Sequence, residues 1–314
     1  LTDKKELPGA SLKVTDEDGN TVDEWVSKEE AHIIKGLIVG KKYKMTETKP
    51  ADGYVTAESI EFTVENTKEV QKHQMLDDMT KVEISKKDIT DSSEVPGAKL
   101  IILDKDGKKV DSWISTDKPH MIEKLPVGEY TLREEQAPDG YLIAEDVKFT
   151  VKDTGKVQKV KMKDAHPYGK LVIKKTDSTS KAALPGAEFE LREKESGKVV
   201  EKLVTDKTGT ATSGKLPIAT YKNGKVEKTV EYILVETKAP NGYELSSKKE
   251  EIRFEYKDGK TKVIEIVKEI KNTKSPSGST PTGNSPKTGD STNIWLPILL
   301  AVLSACGIGG VIWY

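Results

Sequence analysis

"EVPGAKLIILDKDG", running from Glu94 to Gly107, decides the fold. Pro-Gly near its start and Asp-Gly at its end are turn signals, and "KLIIL" between them has the apolar content of a strand. Nearly the same phrase stands twice more, as "ELPGASLKVTDEDG" from Glu6 and "ALPGAEFELREKESG" from Ala183. Each copy is followed by a second shared phrase: "YKMTETKPADGY" from Tyr43, "YTLREEQAPDGY" from Tyr130 and "YILVETKAPNGY" from Tyr232. A pair of phrases repeated three times means three copies of one structural unit. Gly9 and Gly53 lie 44 residues apart in unit one, and Gly97 and Gly140 lie 43 apart in unit two. In unit three the distance from Gly186 to Gly242 is 56, the extra length falling near "IATYKNGKVEKTV". Asn223-Gly224 inside that stretch signals an inserted or lengthened hairpin.

Between the turns apolar and polar residues alternate, as in "KLIIL" and "EFTVE", and no convincing 3.6-residue period is present. Many short strands in each unit predict an all-β chain of tandem sandwiches. The expected boundaries are 1–79 for a first unit short of its N-terminal part, 80–167 for the second and 168–273 for the third. A linker at 274–293 and an apolar segment at 294–314 follow. The units abut at Asp78 to Lys81 and Pro167 to Lys170 almost without linkers, which predicts a stiff rod.

Composition narrows the function. The 314 residues carry 51 Lys plus Arg against 52 Asp plus Glu, a net charge of -1, so no positive excess marks the chain for nucleic acid. With Gly counted and Tyr left out, apolar residues make up roughly 39% of the chain, below the usual share, and the cores should be thin. Small domains bury less of their surface and need a further staple. A disulfide cannot be one, because Cys306 is the only cysteine and lies in the apolar segment. The chain opens at Leu1 without a basic and apolar leader, and the expectation is a fragment whose upstream part, with a signal peptide, is missing.

Charged residues stand where apolar ones are expected. Val82, Ile84 and Lys86 alternate in unit two, as do Leu171, Ile173 and Lys175 in unit three, so each lysine shares the core-facing side of its strand. The second phrase repeats this with glutamate: Tyr130, Leu132, Glu134 and Tyr232, Leu234, Glu236. The closing strands run Val160, Met162, Asp164 and Ile266, Lys268, Ile270, Asn272, each ending in a side-chain carbonyl. A single charged residue on a strand is ordinarily a solvated face or half of a weak ion pair. Three elements in phase with apolar residues, in two units, are not.

These residues resemble the collagen-adhesin B-type repeats, also called SpaA-like or prealbumin-like pilin domains, of Gram-positive surface proteins. The resemblance covers most of Leu1 to Thr273 and rests on the "LPGA" and "ETKAPNGY" pair at this spacing. It implies a prealbumin-like, immunoglobulin-like sandwich in each unit and an intramolecular isopeptide bond. The bond would join Lys86 to Asp164 with Glu134 as helper in unit two, and Lys175 to Asn272 with Glu236 in unit three. Glu47 and Asp77 fit the helper and acceptor positions of unit one. Ten residues back from Pro8, where the other units have their lysine, lies before Leu1, so unit one cannot close such a bond within this chain.

The C-terminal end has its own pattern. Residues 274–293 are rich in Ser, Thr, Pro and Gly, the composition of a disordered linker. Residues 294–314 carry no charge over a length that spans a bilayer, which predicts one transmembrane helix. Ser285, Pro286, Lys287, Thr288 and Gly289 resemble the LPxTG sorting signal with Ser in place of Leu. The resemblance implies a sortase as partner, cleavage between Thr288 and Gly289, and attachment of Thr288 to peptidoglycan, the membrane being touched only before sorting. The short basic stop that follows such a span is absent, which predicts truncation at this end too.

Other signals carry less. "DEDGN" and "DKDGKK" lack calcium-loop spacing and read as hairpin turns. His32, His73, His120 and His166 form no metal-ligand pair, and no cofactor or turnover chemistry is expected. Trp25 and Trp113 sit at equivalent places and are expected to pack in cores. The expectation is a secreted, wall-anchored structural stalk of adhesin type, not an enzyme, whose upstream region would meet a host matrix or cell-surface ligand. The alternatives are a pilus subunit, for which "HPYGK" is no match to a pilin motif, and the stalk of an enzyme whose catalytic domain precedes Leu1.

Overall fold

The computed structural model describes residues 5–276. The sorting signal, the apolar segment and nearly all of the linker lie outside the described residues. Among the described residues, no helix is long and apolar enough to cross a membrane. The three repeats fall within one compact unit of the chain, Leu1–Ser275.

Unit one is a single antiparallel sheet of β1 (Ser11–Thr15), β2 (Thr21–Val26), β3 (Lys42–Lys49) and β4 (Ile60–Thr63), in the order β2-β1-β3-β4. Its core is small: Val14, Tyr43 and Met45 are buried, and Leu12, Trp25 and Phe62 pack partly buried against them.

Unit two has the matching sheet and a second one. β5 (Lys81–Asp88), β6 (Lys99–Asp104), β7 (Lys109–Ile114), β8 (His120–Glu123), β9 (Gly128–Gln136), β10 (Val147–Val151) and β11 (Val157–Asp164) form the sheets β10-β9-β6-β7 and β11-β5-β8. The first and last strands, β5 and β11, are parallel neighbours, Lys81 opposite Val157 through Asp88 opposite Asp164. Parallel neighbours need a long crossover, and here the whole unit is that crossover. The "KLIIL" strand departs from simple alternation. Leu100, Ile101, Ile102 and Leu103 are all buried, so β6 is covered on both faces.

Unit three repeats the plan with β12 (Tyr168–Asp177), β13 (Glu188–Glu193), β14 (Val199–Val204), β15 (Thr210–Thr212), β16 (Leu216–Pro217), β17 (Ala219–Lys222), β18 (Lys225–Thr229), β19 (Glu231–Lys238), β20 (Lys249–Arg253) and β21 (Val263–Asn272). One sheet runs β14-β13-β19-β20, and in the other β12 pairs with β15, β16 and, in parallel, β21. The extra length is the hairpin β17–β18, which pairs only with itself. Asn223 and Gly224 have φ of 52° and 69°, the paired left-handed residues of a tight hairpin turn.

Among the described residues unit one has no second sheet. In unit two that sheet is built on β5, which lies between β11 and β8. The stretches of unit one that correspond to β8 and β11 carry no strand in the structure.

Candidate functional site

The two core-facing lysines are among the largest fully buried side chains of the protein, Lys86 at 2% exposure and Lys175 at 0%. In unit two Lys86 Nζ contacts Asp164 Oδ1 and lies 3.0 Å from Glu134 Oε2. Parallel pairing sets Lys86 opposite Met162, two residues before Asp164. The long lysine side chain therefore crosses diagonally to the acceptor on the same face. Unit three repeats this: Lys175 pairs with Ile270, and its Nζ contacts Asn272 Oδ1 and lies 2.9 Å from Glu236 Oε1. Phe189 stands with its ring centroid 5.5 Å from that ammonium.

Two features of the glutamates were not legible in the sequence. β1, β6 and β13 each shift register against their partner strand directly beside the glutamate: Leu12 faces Glu47, Leu100 faces Glu134 and Phe189 faces Glu236, with one residue skipped each time. Such a bulge re-aims a side chain, and here it recurs in all three units. Each glutamate also accepts a backbone N–H from ten residues on, from Ala57 at 2.6 Å, Ala144 at 2.6 Å and Ser246 at 2.8 Å. The signal that could have found the second is the fixed spacing between the E-x-x-A-P-x-G-Y phrase and the loop after it.

Asp and Asn acceptors leave different hydrogen-bond accounts. Asn272 Nδ2 donates to Glu236 Oε1 and Oε2 at 3.0 and 3.2 Å and to the Glu244 carbonyl at 3.0 Å, so its amide is satisfied. In unit two Asp164 Oδ2 and Glu134 Oε1 are buried without a donor. One proton held by the two carboxyls would satisfy both. Burial pushes the Asp164 carboxyl up to about 7, with Lys86 opposing the rise and Glu134 adding to it. Burial likewise lowers the ammonium of Lys175 from its usual range, against the pull of Glu236. A buried lysine moved toward its neutral amine is a nucleophile, and a carboxyl kept protonated is an electrophile.

Unit one holds the other half of such a site. Glu47 is buried and Asp77 half-buried, and the carboxyls of both are pushed up by burial. No lysine joins them among the described residues.

A second constellation, also unread in the sequence, follows each lysine by two residues. Asp88 accepts from Tyr141 Oη at 2.7 Å and His166 Nε2 at 2.9 Å, and Asp177 accepts from Tyr243 Oη at 2.9 Å. Burial alone would raise the Asp88 carboxyl, but bonds from Thr90, Tyr141 and His166 outweigh it and hold it at about 2.

The aspartate turns behave as read: Asp16 Oδ1 accepts from the amides of Asp18 and Asn20, and Asp104 Oδ1 from those of Asp106 and Lys108. Trp25 and Trp113 pack at the margin of their cores, each stacked on a histidine, His32 or His120, at 4.3 Å. Among the described residues no cluster of three or more His, Cys, Asp or Glu could hold a metal.

Fold and site together define a tandem prealbumin-like β protein with a lysine–glutamate–carbonyl triad in each complete unit. The chain belongs to the SpaA prealbumin-like fold domain family, which matches residues 1–78, 80–166 and 169–270. Among solved structures it is similar to the Bacillus anthracis TIE protein at 29% identity and a TM-score of 0.53, over 87% of this chain and 49% of that one. The chain thus spans about half the length of that relative. It is also similar to BcpA, the major pilin subunit of Bacillus cereus (17% identity, TM-score 0.44, 87% of this chain and 97% of that one). A further likeness is to the full-length major pilin SpaD of Corynebacterium diphtheriae (16%, 0.28, 62% and 98%). No curated protein matches the chain.

Proposed function

We propose that this chain is the stalk of a sortase-anchored, cell-wall surface protein of adhesin type, whose complete units are each stapled by one isopeptide bond. The observation that carries the reading is the burial of Lys86 and Lys175 with Nζ against the side-chain carbonyl group of the acceptor and a glutamate beside it. In an apolar interior the ion pair costs desolvation that its attraction does not reliably return, whereas a neutral amide removes both charges.

The chemistry balances without an oxidant or cofactor. Lys86 Nζ, as the amine, attacks Asp164 Cγ; a nitrogen proton passes through Glu134 to the departing hydroxyl, the C–O bond breaks and water leaves. Lys175 Nζ attacks Asn272 Cγ in the same way, the C–N bond breaks and ammonia leaves, with Glu236 already bonded to the departing nitrogen. Each bond closes nearly a whole unit, between residues 78 and 97 positions apart. By the entropy of closing such a loop it contributes on the order of 4–5 kcal/mol.

The anchoring part of the proposal rests on sequence. Ser285 to Gly289 would be cut by a sortase after Thr288, which would then be joined to peptidoglycan, and residues 294–314 would hold the chain at the membrane until the cut. The names of the pilin relatives are in keeping with a cell-surface place. "HPYGK" is built into the start of unit three, with Tyr168 in β12 and Lys170 paired to Glu265, so it gives the pilus-subunit alternative no support.

Intact mass tests the reading. The chain should be lighter than its sequence by one water and one ammonia. Lys86→Ala should restore the water and Lys175→Ala the ammonia. A full calculated mass in the unmutated chain would leave the triads as ordinary buried ion pairs and end the proposal.

A further inference from the structure

The hairpin that makes unit three longer has no part in either triad. It leaves the sheets of its own unit, and its residues meet unit two. Tyr221 of β17 lies flat on the His166 ring at 3.5 Å and 3° and edge-on to Tyr141 at 5.2 Å. Its hydroxyl donates to the Gly140 carbonyl at 2.8 Å. Val226 of β18 fills the space over Gly140, where a Cβ would overlap it, and a Cβ on Gly224 at the hairpin tip would overlap the Glu94 carbonyl. The apolar contact is closed: Val95, Ala137 and Tyr141 are buried as one cluster, with Ile143 and Tyr221 packed against them. The body of unit three adds two bonds, Tyr256 Oη to the Tyr141 carbonyl at 3.0 Å and Ile143 N–H to the Gly259 carbonyl at 2.8 Å.

The seat itself is braced from within unit two. Asp88, last residue of β5, holds both Tyr141 and His166, the two rings on which Tyr221 rests. Unit three supplies an internal control. Tyr243 binds Asp177 as Tyr141 binds Asp88, but the glycine before it, Gly242, has nothing within reach of a Cβ. There the Gly242 carbonyl takes the Ser275 amide at 2.9 Å where the Gly140 carbonyl takes the Tyr221 hydroxyl, so the brace exists without such a hairpin among the described residues, and the hairpin is an addition to it.

We propose that β17–β18 is an interdomain clasp: seated on Gly140, Tyr141 and His166, it joins units two and three into one mechanical body at the end where β5 and β11 stop. Buried aromatic contact with a satisfied hydroxyl is the chemistry of a stable interface rather than a passing one. The clasp does not depend on the isopeptide bonds, and intact mass read on the same samples separates a failure of one from a failure of the other.

Hydrogen exchange of the full chain by mass spectrometry tests it. Two variants guard against misfolding: Tyr221→Ala, and a milder Val226→Ser. Amides at 141–143 should exchange at least about tenfold faster in both, as local opening is released. Those of β5, β9, β13 and β19 should keep their unmutated rates. Unchanged exchange at 141–143 would overturn the clasp. So would equal loosening of β13 and β19, because the hairpin would then serve the fold of unit three alone.

Discussion

Units two and three set the same lysine and glutamate before different acceptors, and the difference lies in the donors each acceptor brings. Asn272 arrives with its own donors and satisfies Glu236 and the Glu244 carbonyl. Asp164 arrives with none and leaves Asp164 Oδ2 and Glu134 Oε1 buried without a donor. In unit one Glu47 keeps the amide of Ala57 as its donor, and no lysine joins it among the described residues. The geometry is common to the units while the leaving group is local, so the mass lost should separate them.

The largest effect should come from removing the nucleophile. Lys86→Ala strands Glu134 and Asp164 in an apolar interior and forfeits the proposed cross-link, and chemical denaturation should show unit two losing on the order of 5 kcal/mol or more. Glu134→Gln and Glu236→Gln keep the shape but remove the proton carrier. Their units should fold at full calculated mass, about 4–5 kcal/mol less stable than the bonded form; normal mass loss in either variant would remove the glutamate from the chemistry.

Unit three needs Lys175 as the free amine, so its rate, followed by intact mass after cell-free synthesis, should fall as the pH drops and the amine takes up a proton. Asp164→Asn is the sharpest form of the comparison: unit two should then lose ammonia in place of water. A variant that keeps its full calculated mass would refute the account of the leaving group.

The smallest effect concerns the aspartate braces. Tyr243→Phe removes one bond to Asp177, and chemical denaturation should show unit three only slightly less stable. Asp88 titrates at about 2 in the folded chain, below its unfolded range, so the stability it supplies is complete above about pH 4 and is lost as the pH falls toward 2. Acid unfolding of His166→Ala should begin at a higher pH than that of the unmutated chain.

Much of this was legible beforehand because repetition is self-checking. Three copies of "PGA" and of "GY" fixed the number of units, and period two put Lys86, Lys175, Glu134 and Glu236 on core faces without any coordinates. What was not legible came from contacts between residues far apart in sequence. The bulges beside Glu47, Glu134 and Glu236 look in sequence like ordinary alternation, since a bulge is defined by the partner strand. "KLIIL" betrays nothing of the second covered face of β6. Asp88 and Asp177 read as strand-end polar residues until Tyr141 and Tyr243 are folded onto them.

By itself, then, the sequence determined the repeat, the strands, the turns and which charged side chains must face apolar neighbours, because those properties depend on residues a few positions apart. Only the tertiary structure decided that the first strand lies beside the last, that lysine and acceptor meet across that pair, and that the Asn223-Gly224 hairpin leaves its own unit to rest on Tyr141 and His166. Those outcomes depend on which distant segments share a core, and no local pattern carries that information.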